Sequence, residues 1–188
     1  NDIYMINLAA DYATGELISD TGTGASTDEL RFASIIAADT LILAASLSGI
    51  ERVVIGTGAA TAAVTTAATA LNVDASLVTY GLSITGNAGA NVLTGGNGAD
   101  SLTGGAGLDT FIIKTGSDAI TDLGAGGADI LQVTAGATAN ATVATAWTAS
   151  ASTRNTGGTA KITTNGLDVN LAAVTSGTNG FTVTNTGV

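Results

Sequence analysis

A chain of 188 residues with 15 acidic and 5 basic side chains carries a formal charge of −10, which disfavours nucleic acid and anionic membrane surfaces as partners and suits divalent cations. It has no cysteine, histidine or proline, so disulfides, thiol chemistry, zinc–thiolate sites and the usual catalytic bases are excluded. Abundant Gly, Ala, Thr, Val and Asn with few aromatics point to an all-β protein of extracellular type, one or two domains long, with a thin core.

Residues 1–85 read as a ladder of short strands. Asp2-Ile3-Tyr4-Met5-Ile6, Asp28-Glu29-Leu30-Arg31-Phe32, Asp39-Thr40-Leu41-Ile42-Leu43 and Ile50-Glu51-Arg52-Val53-Val54-Ile55 are strand-like runs separated by small residues. Asn72-Val73-Asp74 and Leu82-Ser83-Ile84-Thr85 continue the rhythm. Between them, Ala59 to Leu71 is alanine-rich, which favours helix, but interspersed Thr and Val favour strand or loop, and this second reading is preferred. The run is too short to cross a bilayer, and no other segment reads as a membrane span. The start, Asn1-Asp2-Ile3-Tyr4, lacks the basic region of a signal peptide, and there is no initiator methionine. A fragment or processed form of a larger protein is expected.

Residues 86–131 hold a repeat. Gly95-Gly96-Asn97-Gly98-Ala99-Asp100-Ser101-Leu102-Thr103 runs directly into Gly104-Gly105-Ala106-Gly107-Leu108-Asp109-Thr110-Phe111-Ile112, a nonapeptide written twice in one register. Upstream, Gly86 to Thr94 keeps Gly86, Gly89 and Leu93, with Asn91 in the aspartate position. Downstream, Gly116, Asp118 and Ile120 stay in register, and after a two-residue slip Gly124, Gly127, Asp129 and Leu131 follow. About five units are traceable, fading at both ends as in a capped stack. The glycines permit backbone angles that turn carbonyl oxygens inward, the aspartate adds a hard anionic oxygen, and Leu102 or Phe111 two residues later points into a narrow core. Isolated Gly-x-Gly-x-Asp turns are common in β-proteins, but two tandem copies with a near-match point to a stacked cation-binding solenoid.

These residues resemble the RTX, or haemolysin-type, calcium-binding repeat, Gly-Gly-x-Gly-x-Asp-x-(large apolar)-x, over about a quarter of the chain. Ser117-Asp118-Ala119-Ile120-Thr121-Asp122-Leu123-Gly124 is similar to the sequence that often closes such arrays. The resemblance implies a right-handed parallel β-roll or β-solenoid with two nonapeptides per turn and calcium between turns two units apart. It pairs Asp100 with Asp118 and Asp109 with Asp129, with backbone carbonyls from Gly95, Gly96, Asn97 and Gly98 and from Gly104, Gly105, Ala106 and Gly107. Asn91 would face Asp109 in a poorer site, and Asp122 is either a further ligand or a solvated turn residue. Asp2 to Ile6 resembles the strand that follows an RTX array, which implies another array upstream. Type I secretion is implied too, usually through a C-terminal signal that Asn185-Thr186-Gly187-Val188 does not display.

Residues 132–188 read as a C-terminal β-rich cap or assembly segment. Ala160 to Thr163, Leu167 to Leu171 and Phe181 to Thr184 alternate, and Gly157-Gly158, Asn165-Gly166 and Asn179-Gly180 punctuate them, so antiparallel hairpins are expected. Trp147 fills a core or anchors an interface, the core being preferred. No enzyme is expected: Lys114 and Lys161 sit in strand-like runs, and the Asp118 and Asp122 carboxylates suit metal ligation or turn formation better than glycoside hydrolysis.

Two functions follow from the resemblance and the composition. One is a secreted calcium-binding structural protein of the bacterial surface or matrix, such as an S-layer or filament subunit, that folds and self-associates on calcium, with a cell-surface glycan as candidate partner. The other is a calcium-dependent stability and secretion module of a larger enzyme, toxin or adhesin.

Overall fold

A computed structural model describes residues 2–12, 17–20, 27–59 and 62–187. Asn1, Ala60 and Thr61 of the alanine-rich run, and Val188 lie outside the described residues. The strands are β1 Ile3–Ile6, β2 Glu29–Phe32, β3 Thr40–Ile42, β4 Arg52–Ile55, β5 Asn72–Asp74, β6 Ser83–Thr85, β7 Val92–Thr94, β8 Ser101–Thr103, β9 Thr110–Ile113, β10 Ser117–Leu123, β11 Ile130–Val133, β12 Thr138–Val143, β13 Trp147–Thr148, β14 Arg154–Asn155, β15 Thr159–Thr163, β16 Val169–Asn170 and β17 Phe181–Thr184. One single-turn 3₁₀ helix spans Ala9–Asp11.

The chain is a parallel β-solenoid. A nine-stranded sheet runs β1-β2-β4-β6-β8-β10-β12-β15-β17, a six-stranded sheet runs β14-β11-β9-β7-β5-β3, and β13 pairs with β16. From β2 to β12 the chain alternates between the two large sheets, so each turn, or rung, adds one strand to each. Short strands suffice because each is hydrogen-bonded by its neighbours in the stack, and from β2 to β11 each buries at least one large side chain inward. In the larger sheet Leu30, Val53, Ile84, Leu102, Ile120, Ala141 and Ile162 stand in one register and are buried. Leu41, Val73, Leu93, Phe111 and Leu131 face them from the smaller sheet.

The strand-like runs of residues 1–85 form β1 to β6, and the ladder crosses into the repeat without a break, β6 pairing with β8 and β5 with β7. The described part of Ala59 to Leu71 is loop with a single bridge from Val64 to Thr57. Trp147 is buried, its Nε1 donating to the Asp129 carbonyl at 2.9 Å.

The antiparallel expectation for residues 132–188 is corrected. β12 pairs with β15, β15 with β17 and β13 with β16, all in parallel. Asn165 and Gly166 do adopt left-handed φ of 49° and 86°. Their turn is a corner of the solenoid instead of a hairpin, because a rung already in place offers the following strand a parallel partner.

Candidate metal centre

The glycine-rich corners precede the strands. Residues 95–100 link β7 to β8, residues 104–109 link β8 to β9, and residues 124–129 link β10 to β11. Gly105 and Gly107 have φ of 95° and 129°, which side chains rarely adopt, so the local sequence is what allows these turns to close. An added Cβ at Gly105 would also lie 2.5 Å from the Asn87 carbonyl oxygen, so the stacked corners leave no room for one.

Each aspartate of the repeat sits two residues before its core side chain and is itself buried. Burial of a carboxylate demands donors. Those donors come from the backbone one rung away. Leu82 N donates to Asp100 Oδ1 at 2.8 Å and Asp100 N to Asp118 Oδ1 at 3.0 Å, forming one column at the larger sheet. At the smaller sheet Asn91 N donates to Asp109 Oδ1 at 2.8 Å and Asp109 N to Asp129 Oδ1 at 2.9 Å. The pairs Asp100 and Asp118, Asp109 and Asp129, and Asn91 and Asp109 are therefore brought together, one rung apart.

The remaining oxygens define two foci. Asp100 Oδ2 accepts from Gly96 N at 2.6 Å, while Asp118 Oδ2 is buried with no hydrogen-bond partner. A Cβ on Gly95 would lie 2.8 Å from Asp100 Oδ2 and 2.9 Å from Asp118 Oδ2, so both oxygens converge on the glycine backbone. At the second focus Asp109 Oδ2 is buried without a partner and would be struck by a Cβ on Gly104, whereas Asp129 Oδ2 accepts from Gly124 N at 2.7 Å. Asp122 adds a third carboxylate there, accepting from Gly104 N at 2.9 Å and Gly105 N at 2.8 Å.

Electrostatics match this geometry. Burial, with Asp100 nearby, pushes the Asp118 carboxyl up to about 7. Burial, then Asp129 and Asp122, pushes Asp109 up to about 7, and burial with Asp122 raises Asp129 to about 6. Converging carboxylates with two buried, unpaired oxygens and no nitrogen or sulfur donor suit a hard divalent cation, which would remove the repulsion between them.

The other expected residues fall as follows. Asn97 is exposed, and its carbonyl and that of Gly98 face Gly116 of the next rung. Gly96 O accepts from Thr115 Oγ1 at 2.8 Å, and Ala106 lies against Gly126. Gly107 stacks on Gly89. Asn91 Nδ2 donates to Leu71 O at 2.7 Å, and its Oδ1 accepts from Asn87 N at 2.9 Å. Lys114 Nζ lies 3.6 Å from Asp74 Oδ2 on the surface. Sequence reasoning missed that the Asp100 column continues at the other end. Asp2 N donates to Asp28 Oδ1 at 2.5 Å and Asp28 N to Glu51 Oε2 at 2.9 Å, and carboxylate oxygens of Asp2, Asp20 and Asp28 lie within 4.8 Å of one another. The signal was an acid two residues before Tyr4, Leu30 and Val53.

A parallel solenoid whose turns are lined by stacked buried carboxylates defines a class of cation-binding repeat protein. Residues 83–120 match the RTX calcium-binding nonapeptide repeat in 4 copies, so the chain carries RTX repeats across β6 to the middle of β10. No curated protein and no solved structure matches the chain.

Proposed function

We propose that the protein is a secreted, calcium-binding structural protein of the bacterial surface or extracellular matrix, which folds and self-associates when calcium binds between Asp100 and Asp118 and among Asp109, Asp129 and Asp122. The observation that carries the calcium reading is the pair of buried, unpartnered oxygens, Asp118 Oδ2 and Asp109 Oδ2, on RTX nonapeptides. Calcium supplies the positive charge that holds these carboxylates ionised. The chain's own groups do the rest: corner amides fix one oxygen of each aspartate, and glycines let the rungs approach closely.

RTX repeats occur in secreted proteins, and the low level of ionic calcium inside cells would leave the array loose until export. A structural role is supported by a ladder that continues through long flanks on both sides of the array. Self-association is supported by exposed apolar side chains on the outer surface, Ile35 at 88% exposure together with Ile36, Ile42 and Leu77. Among the described residues no helix is long and apolar enough to cross a membrane. The aspartates are engaged by backbone amides, which supports a non-enzymatic role.

Sedimentation velocity with and without millimolar calcium, with far-UV circular dichroism on the same samples, tests this reading. The expected result is a rise in β-content together with growth into large ordered species. A compact monomer at high concentration would favour a stability module of a larger protein, and no response in either signal would remove the calcium reading.

A further inference from the structure

The rungs beside the aspartate-lined corners are built with a different side chain. Asn91 occupies the column of Asp109 and Asp129, yet it acts in both directions: Oδ1 accepts from Asn87 N at 2.9 Å, and Nδ2 donates to Leu71 O at 2.7 Å and to Asn87 Oδ1 at 3.1 Å. Asn87 repeats the arrangement, accepting from Gly89 N at 2.8 Å and donating to Thr69 O at 2.9 Å. Past the array, Asn155 accepts from Gly158 N at 2.9 Å and donates to Gly180 O at 2.8 Å and Gly158 O at 3.2 Å. All three are buried, and the donor and acceptor of each carboxamide are both used.

A carboxylate offers only acceptors, so a corner built from carboxylates and carbonyls leaves oxygen facing oxygen. A carboxamide brings its own donor, carries no charge and closes a backbone carbonyl onto a backbone amide. We propose that Asn87, Asn91 and Asn155 take the place of the cation in the rungs beside the aspartate-lined corners, so that cation-dependent folding is confined to residues 95–129 and the rungs on either side fold without it. The inference rests on the calcium reading above.

The flanks have cohesion of their own. On the N-terminal side Leu30, Phe32, Leu41, Leu43, Ile50, Val53 and Ile55 are buried, and Glu29 pairs with Arg31 and, at 3.0 Å, with Arg52. On the other side Trp147 and Ile162 are buried, and β12, β15 and β17 form a continuous parallel ladder. Each rung of a solenoid touches only its neighbours, so a central segment can open while both flanks keep their own pairing.

Hydrogen exchange read by mass spectrometry on the whole chain, in calcium and in a chelator, tests the proposal. Chelation is expected to abolish protection in peptides covering residues 95–129 and to leave it in peptides from β2 to β7 and from β12 to β15. Asn91→Asp removes the donor to Leu71 O and places a carboxylate opposite Asp109. That variant is expected to extend the chelator-sensitive region back to residue 67 and to bind additional calcium in titration calorimetry.

Loss of protection along the whole chain on chelation would overturn the proposal while leaving the calcium reading intact. An Asn91→Asp chain whose residues 67–94 stay protected in chelator would overturn it as well. A wild-type chain that neither binds calcium nor changes protection anywhere overturns both. The wild-type comparison decides the matter even where the variant does not fold.

Discussion

Asp118 and Asp109 each give one oxygen to a backbone amide of the neighbouring rung and keep the other buried without a partner. An ionised carboxylate in that position is unfavourable by itself and favourable beside a cation, so its neutral isostere reverses the sign of its effect with calcium. Asp118→Asn is therefore expected to raise the melting temperature in chelator at neutral pH and to lower it in calcium, with loss of an ion from the calorimetric stoichiometry. Parallel thermal melts in the two conditions make the comparison. A variant whose melting temperature responds to calcium as the wild type's does would show that Asp118 serves only to receive the Asp100 amide, which an asparagine Oδ1 still accepts. The aspartate positions were legible because spacing and residue type coincide in the nonapeptide. Asp122 was legible only as an open choice between ligand and turn residue, since its partners Gly104 and Gly105 lie a rung away and no local pattern announces that bond.

At the scale of the element, the strands β1 to β6 and β15 to β17 lie where alternating or apolar runs were read, and the inward register of Leu102, Phe111 and Ile120 follows from the repeat alone. What the sequence concealed was direction. Asn165-Gly166 specifies a left-handed turn, and such a turn serves a hairpin or a solenoid corner equally well. Only the presence of β13 as a ready parallel partner for β16, the strand that follows the turn, decides between them. The described part of the alanine-rich run before β5 is likewise loop because each rung needs a corner between its strands, which overrides alanine's helical preference.

Trp147 in β13 seals the last aspartate corner. Its indole donates to the Asp129 carbonyl, and its Cβ lies 3.1 Å from where a side chain on Gly124 would begin. Trp147→Ala is expected to destabilise the calcium-bound protein by about 3–5 kcal/mol, the usual range for emptying a large aromatic site. Trp147→Phe should lose less, since it removes only the hydrogen bond and part of the volume. Denaturant unfolding in calcium measures both, and a Trp147→Ala loss below about 1 kcal/mol would mean an exposed, interface-type side chain instead.

Over the whole molecule, charge and repeat combine. Fourteen of the 15 acidic residues lie within the first 129 positions, and the chain as a whole is at −10. Three of these acids, Asp109, Asp118 and Asp129, have carboxyls raised by burial to about 7, 7 and 6. A raised carboxyl binds its proton more tightly folded than unfolded, so its contribution is fully present below the ordinary carboxylate range and is lost as pH rises through about 6 to 7. In chelator, then, the melting temperature should be higher near pH 5 than near pH 8, the general repulsion of a −10 chain acting in the same direction. In calcium the order reverses, because protons compete with the ion for the same oxygens: affinity should climb up to about pH 7, and binding below that should release protons. The double variant Asp109→Asn with Asp118→Asn separates the two contributions, since it removes the two carboxyls that are raised furthest, one from each column, and leaves most of the chain's other charge. If the slope in chelator survives in that variant, global repulsion and not the two columns governs the metal-free fold; if it flattens, the stacked carboxylates set the stability of the whole ladder.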